Sequence, residues 1–309
     1  MRILVIGAGA IGGYFGGRLL AAGRDVTFLV RPKRAELLAK NGLVVKSPLG
    51  HLDLADPPTV TEDALDDTYD LILLSCKAYD LDAAIESFAP AVGPETTILP
   101  LLNGMGHIDR LVERFGAERV FGGLCIISAS LDPEGRIVHH NNLHLLTFGA
   151  LDGTVSFRTE AVNAELGLGG FDVRLTTSIL QEMWNKWVFI ATGAGITCLM
   201  RAAFGDIVEA GGKDLTLALM EECSAIATAA GYPPSKDALE RTAAMFTDPQ
   251  SKVTASMLKD IERGGPIEAF PIVGDLLRRG GDPRAYPLLN IVNVHLKAYE
   301  VRRDREGLA

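Results

Sequence analysis

Short apolar runs alternate with stretches of helical spacing through the first half of the chain, and helical spacing alone continues through the second. The run Ile3, Leu4, Val5 and Ile6 suits a strand buried on both faces. From Ile11 the apolar positions Ile11, Phe15, Leu19 and Leu20 recur at helical spacing. Further strands are predicted at 25–30, 43–46, 70–75 and 97–101, then at 124–129, 137–138 and 143–148, with a last one at 171–175. A helix with Ile179, Met183, Trp184, Trp187 and Val188 on a broad apolar surface follows. After it come predicted helices over 213–230, 236–246, 253–263, 270–279 and 287–302, separated by Gly or Pro. The expected class is α/β: a doubly wound parallel sheet over residues 1–172, followed by an all-helical domain over 173–309, with the site in the cleft between them.

The first strand runs directly into Gly7, Gly9 and Gly12, a G-x-G-x-x-G at a strand-to-helix junction. A ligand-free glycine turn would show the same triplet, but this context makes it a dinucleotide-binding signal. Gly7 permits the tight turn, Gly9 lets the backbone approach a pyrophosphate, and Gly12 allows helix and strand to pack closely. The backbone from Gly7 through Ala8, Gly9, Ala10 and Ile11 to Gly12 is the expected phosphate cradle, at the positive end of the helix. An NAD-specific site of this kind carries an acid at the end of the second strand. Here that place holds Arg31, with Lys33 and Arg34 close behind. A guanidinium can clamp a 2′-phosphate that a carboxylate would repel, so NADPH is predicted over NADH. Two later strands also end in polar residues where open parallel sheets bind ligands, at Lys77 and at Asn103. Each is a candidate cofactor contact, or else an ordinary surface lysine and an Asn-Gly turn.

Composition narrows the field. The chain has 309 residues and a net charge of −9 without a long basic run, which argues against nucleic acid or an anionic membrane as partner. Cys76, Cys125, Cys198 and Cys223 are scattered, with no C-x-x-C, which suits a reducing compartment and predicts no metal site. His139, His140 and His144 lack a ligand pattern and are read as structural or exposed. The N-terminus reads as a buried strand rather than a signal peptide, and no apolar run reaches membrane-spanning length. A cytoplasmic protein acting on a small molecule is therefore expected. A homodimer is compatible with the sequence, which carries no signal for oligomeric state.

In the second half two stretches carry chemistry. Lys186 lies among Trp184, Trp187 and Val188, and apolar surroundings disfavour a lysine's charged form, which suits a general acid. Ser256 opens Ser-Met-Leu-Lys-Asp, with Glu268 beyond; a serine hydroxyl can bind a carboxylate, and a glutamate can orient a lysine or a hydroxyl.

Taken together, Gly7 to Gly12, Arg31, Ser75-Cys-Lys77, Asn103-Gly-Met-Gly106, Trp184-Asn-Lys186, Ser256 to Asp260 and Glu268 occur in an order and spacing that resemble the ketopantoate reductase family over nearly the whole chain. The resemblance implies a Rossmann-type domain with a helical domain, and NADPH reduction of a 2-oxo acid to a 2-hydroxy acid in pantothenate and coenzyme A synthesis. It implies Lys186 as proton donor to the carbonyl oxygen, with Glu268 near the substrate hydroxyl and the nicotinamide ribose. Ser256 would hold the substrate carboxylate. Lys77 and Asn103 would contact the cofactor, Asn103 also Lys186, and Ser128 matches a small residue that touches the cofactor.

The sequence also departs from that family. Members that reduce ketopantoate carry asparagines four and eight residues after the lysine and another farther on; here those places are Ile190, Ala194 and Phe204. Gly195 replaces the usual proline, whereas Thr197 matches. Lys186, Ile190 and Ala194 share one helix face, so an apolar substrate wall is expected. The sequence thus leaves three readings: a ketopantoate reductase, a reductase of a more apolar 2-oxo acid or carbonyl, and a non-catalytic NADPH-binding sensor. The retained lysine and glutamate argue against the last.

Overall fold

A computed structural model describes residues 1–307, and the chain divides into two compact units. Unit 1 comprises Met1–Leu102 and His107–Ile179; unit 2 comprises Asn103–Gly106 and the chain from Leu180 onward.

Unit 1 holds ten strands: β1 (Arg2–Ile6), β2 (Asp25–Leu29), β3 (Leu43–Lys46), β4 (Leu52–Leu54), β5 (Thr59–Val60), β6 (Tyr69–Leu74), β7 (Val92–Pro100), β8 (Phe121–Leu131), β9 (Ile137–Ala150) and β10 (Asp172–Leu175). Its helices are α1 (Ala10–Ala21), α2 (Pro32–Asn41), α3 (Leu81–Phe88), α4 (Gly106–Phe115, whose first residue groups with unit 2) and α5 (Phe157–Gly167). Five strands make a parallel sheet in the order β5-β2-β1-β6-β7. Ile3, Leu4 and Val5 are fully buried, as a strand covered on both faces requires. The strand order reverses at β1, and the carboxyl ends of β1 and β6 form the switch point where such sheets bind ligands. Arg24, in the turn between α1 and β2, grips Glu165 of α5 with two hydrogen bonds of 2.8 Å.

The strands expected at 124–129, 137–138 and 143–148 do not extend this sheet. They are two long strands, β8 and β9, in a separate mixed sheet of order β10-β9-β3-β4, with β8 antiparallel to β9. Asp132 explains the turn-back: its carboxylate accepts from the backbone N–H of Glu134 at 3.1 Å and of Arg136 at 2.8 Å, and from the Arg136 guanidinium. A tight turn makes the antiparallel partner the adjacent one, whereas joining the parallel sheet needs a crossover. β10 pairs in parallel with β9 and so belongs to unit 1. The division expected after residue 172 therefore falls at Ile179.

Unit 2 is helical: α6 (Ile179–Met200), α7 (Phe204–Glu209), α8 (Lys213–Ala229), α9 (Lys236–Phe246), α10 (Ser256–Glu262), α11 (Asp275–Arg279) and α12 (Pro287–Arg305). α6 is buried nearly all round, with Trp187 at 1% exposure and Ala191 and Cys198 at 0%, so it is the central helix of this unit. Two expected helices differ from their patterns, one in length and one in how it begins. Residues 251–255 are held extended beside α7 by bonds from Phe204 N to the Val253 carbonyl (3.1 Å) and from Gly205 N to the Ser251 carbonyl (2.9 Å), so α10 starts only at Ser256. The helix expected at 270–279 begins as a π turn over Phe270–Gly274, where Pro271 brings no N–H to an α-helical ladder.

Candidate active site

At the switch point of unit 1 the glycines do what their spacing implied. Gly7 adopts φ +88°, a conformation open to glycine, and its N–H donates to the Leu29 carbonyl at 2.9 Å. Nothing lies within 4 Å of where a Cβ on Gly9 would stand, so the space before that backbone is open. A Cβ on Gly12 would collide with Ser75 Oγ and the Gly7 carbonyl. Gly9 caps α1, which leaves the first N–H groups of that helix without intrahelical acceptors. Open backbone and unpaired donors at a helix start fit a dinucleotide pyrophosphate. Ser75, at the end of β6, donates from Oγ to the Ile6 carbonyl at 2.9 Å, tying the two strand ends that frame the cradle.

The two arginines after β2 are used differently. Arg34 donates to the Ala8 carbonyl from Nη2 (2.8 Å) and Nε (3.1 Å) and to the Gly135 carbonyl from Nη1 (3.1 Å), so it braces the cradle. Burial there holds its pKa below the usual arginine value. Arg31 points outward and meets Asp80, Nη2 to Oδ1 at 2.6 Å. Lys77 lies exposed just past β6. Ser128 sits where the β8–β9 register shifts, and its N–H donates to Asn141 Oδ1 at 3.1 Å; such irregularities re-aim side chains. The three histidines are structural or exposed, as read from the sequence. His139 bonds Ser47 at 2.9 Å, His144 bonds Tyr14 at 2.9 Å, and the exposed His140 bonds Ser130 at 2.8 Å.

In unit 2 the π turn Phe270–Gly274 gathers two distant segments beside its own entrance. Gly104, at φ +80°, lies so close that a Cβ there would strike the Pro271 carbonyl, which seats the Asn103–Gly106 loop on the turn. Trp187 donates its indole N–H to the Ile272 carbonyl at 2.9 Å. The Ile272 N–H reaches back to the Glu268 carbonyl at 3.3 Å, so Glu268 stands at the turn's entrance. Just beyond, buried Asp275 accepts from Arg278 at 2.9 Å and Arg279 at 3.0 Å, and the Arg279 guanidinium lies 5.6 Å from the centre of a Trp187 ring. Asn103, Glu268 and the residue next to Lys186 are thereby fixed to one piece of backbone.

Lys186 itself is half-buried, and among the described residues its ammonium has no hydrogen-bond or ion-pair partner, Asn103 included. The tryptophans beside it face inward: Trp184 stacks on Tyr232 at 5.6 Å and Trp187 is enclosed. Ile190, a turn on, is half-buried. Ala194, expected along the substrate wall, and Phe204 are core residues at 4% and 3% exposure; Phe204 stacks on Phe246 at 4.4 Å, and that pair covers the helix at Gly193. Ser256 is exposed at the start of α10, which a bond from Ala255 N to Thr197 Oγ1 (3.4 Å) tethers to α6.

Asp80 and Asp275 carried no role in the sequence, while Ser75 entered only within the Ser75-Cys-Lys77 match and Trp187 only as an apolar neighbour of Lys186. A small hydroxyl at a strand end beside the glycines was a usable signal for Ser75. Asp80 and Trp187 act through partners far along the chain, and Asp275 through arginines three and four residues on.

The family model described as ketopantoate reductase PanE/ApbA matches residues 3–153, and its C-terminal counterpart matches 178–300. The uncharacterized oxidoreductase YkpB of Bacillus subtilis (strain 168) is 34% identical, over 98% of this chain and 100% of that protein. A 2-dehydropantoate 2-reductase of Nostoc sp. is 25% identical over 99% of this chain and 97% of that protein. The crystal structure of 2-dehydropantoate 2-reductase from Methylococcus capsulatus superposes with a TM-score of 0.86 at 28% identity, covering 98% of each chain.

Proposed function

The chain belongs to the ketopantoate reductase family of oxidoreductases, and from that premise we propose that it reduces 2-dehydropantoate to pantoate with NADPH. What supports the reading is the convergence of Asn103, the Lys186 turn of α6 and Glu268 on the π turn of unit 2. The family's reductant is NADPH. Bound at the Gly7–Gly12 cradle, it would supply hydride to the substrate's carbonyl carbon. Lys186 donates a proton to the carbonyl oxygen and offsets the negative charge that develops there. A lysine tied up in an ion pair could not approach that oxygen without first breaking it, which gives its unpaired ammonium a functional sense. Glu268 orients the substrate hydroxyl side, Asn103 holds the cofactor end, and Ser256 receives the substrate carboxylate. Arg31, Lys77 and Ser128 complete the cofactor contacts of unit 1.

A second reading is favoured by Ile190. One turn beyond Lys186 the helix presents a half-buried isoleucine, and Ala194 and Phe204 are closed into the core, so this face offers no side-chain partner for a substrate hydroxyl. A more apolar 2-oxo acid fits that face better than a hydroxylated one, because a missing hydrogen-bond partner shifts selectivity strongly. One assay separates the readings: NADPH oxidation followed across a panel of ketopantoate and unhydroxylated branched and aromatic 2-oxo acids. Ketopantoate with the highest kcat/KM supports the first reading. Preference for the apolar acids supports the second, and absence of turnover throughout refutes both.

A further inference from the structure

We propose that Asp80 sets the nucleotide discrimination of this chain, competing with a ribose 2′-phosphate for Arg31 and offering an acceptor to the 2′-hydroxyl of NADH. The inference rests on the dinucleotide reading of the Gly7–Gly12 cradle and concerns which nucleotide that cradle prefers. Read along the chain, the end of β2 has a cation and no acid, a pattern that selects NADPH. The fold changes the count. Asp80 arrives from the segment after β6 and places Oδ1 2.6 Å from Arg31 Nη2. An acid therefore stands beside the Arg31 guanidinium, delivered by a different element.

The neighbouring cations do not offset it. Arg34 is committed to the carbonyls of Ala8 and Gly135 and would have to release the cradle to reach a phosphate. Lys33 is exposed. The Arg31–Asp80 pair is itself open to solvent, at 74% and 33% side-chain exposure, so it contributes little to the fold and is free to part when a ligand arrives. A 2′-phosphate drawing on Arg31 must displace the carboxylate or bind beside it. A 2′-hydroxyl has no such conflict, since Asp80 can accept its hydrogen bond while keeping Arg31. The pair thus narrows the advantage that Arg31 alone would give NADPH. A carboxylate about 6 Å from a phosphate of charge near −2, in a water-like dielectric, changes a dissociation constant by about ten-fold.

The test is equilibrium binding, free of turnover. The full-length protein is titrated calorimetrically with NADPH, NADH, 2′,5′-ADP and 5′-AMP at low salt, as wild type, Asp80→Asn and Asp80→Glu. Asp80→Asn is expected to raise the ratio Kd(NADH)/Kd(NADPH) about ten-fold, with 2′,5′-ADP tightened and 5′-AMP not, while Asp80→Glu stays near wild type. A ratio unchanged within two-fold in Asp80→Asn, with wild type binding normally, overturns the role of Asp80 and leaves the dinucleotide site standing. Failure of the wild type to bind any of the four overturns both together.

Discussion

Replacing Trp187 with phenylalanine is the sharpest probe of the π turn. The indole N–H donates to the Ile272 carbonyl at 2.9 Å, and Trp187 is 1% exposed, so no water is at hand to replace the bond. A hydrogen bond of this kind is worth about 1 kcal/mol net, and a buried carbonyl left unpaired costs about 1–3 kcal/mol. The smaller ring also leaves a void, so a total loss of about 2–3 kcal/mol is expected. With a urea slope of about 2–3 kcal/mol/M, the unfolding midpoint should fall by about 1 M. The chain has two tryptophans, so in this variant Trp184, stacked on Tyr232, becomes the only tryptophan reporter of unit 2. Because Glu268 and the Asn103 loop are seated on the same turn, kcat should fall about ten-fold or more, as small misplacements of reacting groups do. NADPH affinity should fall less than kcat, since the glycine cradle belongs to unit 1 and only the proposed Asn103 contact is seated on the turn. An unchanged midpoint would show that the indole bond does not hold the turn. A lowered midpoint with full kcat would show that the turn does not position the chemistry.

Other expectations test separate steps. Lys186→Ala should lower kcat by about 10²-fold or more with NADPH binding retained, measured by steady-state kinetics and fluorescence titration; an active variant removes Lys186 from proton transfer. Gly12→Ala should abolish nucleotide binding in calorimetry or destabilise unit 1, because its Cβ meets Ser75 Oγ and the Gly7 carbonyl. Burial, helped by the charge of Arg18 and by His139 and opposed by Asp172, holds the His144 pKa below its usual 6.5. The folded state thus binds that proton less readily than the unfolded chain, and stability should decline as pH falls below about 6.5 and through the depressed folded value. His144→Gln should flatten that slope in melts between about pH 7.5 and 5. Burial also pushes the Cys198 and Cys223 thiols up to about 12, so a thiol reagent should label half-exposed Cys76 first and reach those two only on unfolding.

Local pattern was enough for the parts of this protein whose causes are local. The apolar run Ile3–Ile6, the glycines after it and the periodicity of α8 and α9 each state their structure within a few residues, because strand burial, tight turns and helix faces are short-range consequences of side-chain order. Arg31 and Lys186 stood out on the same grounds, as charged groups at a strand end and in apolar helical surroundings, whereas the roles expected of Lys186 and Glu268 came from the family resemblance. Pairing across long separations was not legible. Whether β8 and β9 join the first sheet depends on the Asp132 turn competing with a crossover. Whether Arg31 stands alone depends on an acid that follows another strand, and the α6 turn that carries Lys186 is linked to the Glu268 backbone only through the Trp187 indole and the Ile272 peptide. Such contacts form only when the backbone brings distant residues within a few ångströms, a condition that no one-dimensional spacing encodes and that tertiary packing alone decides.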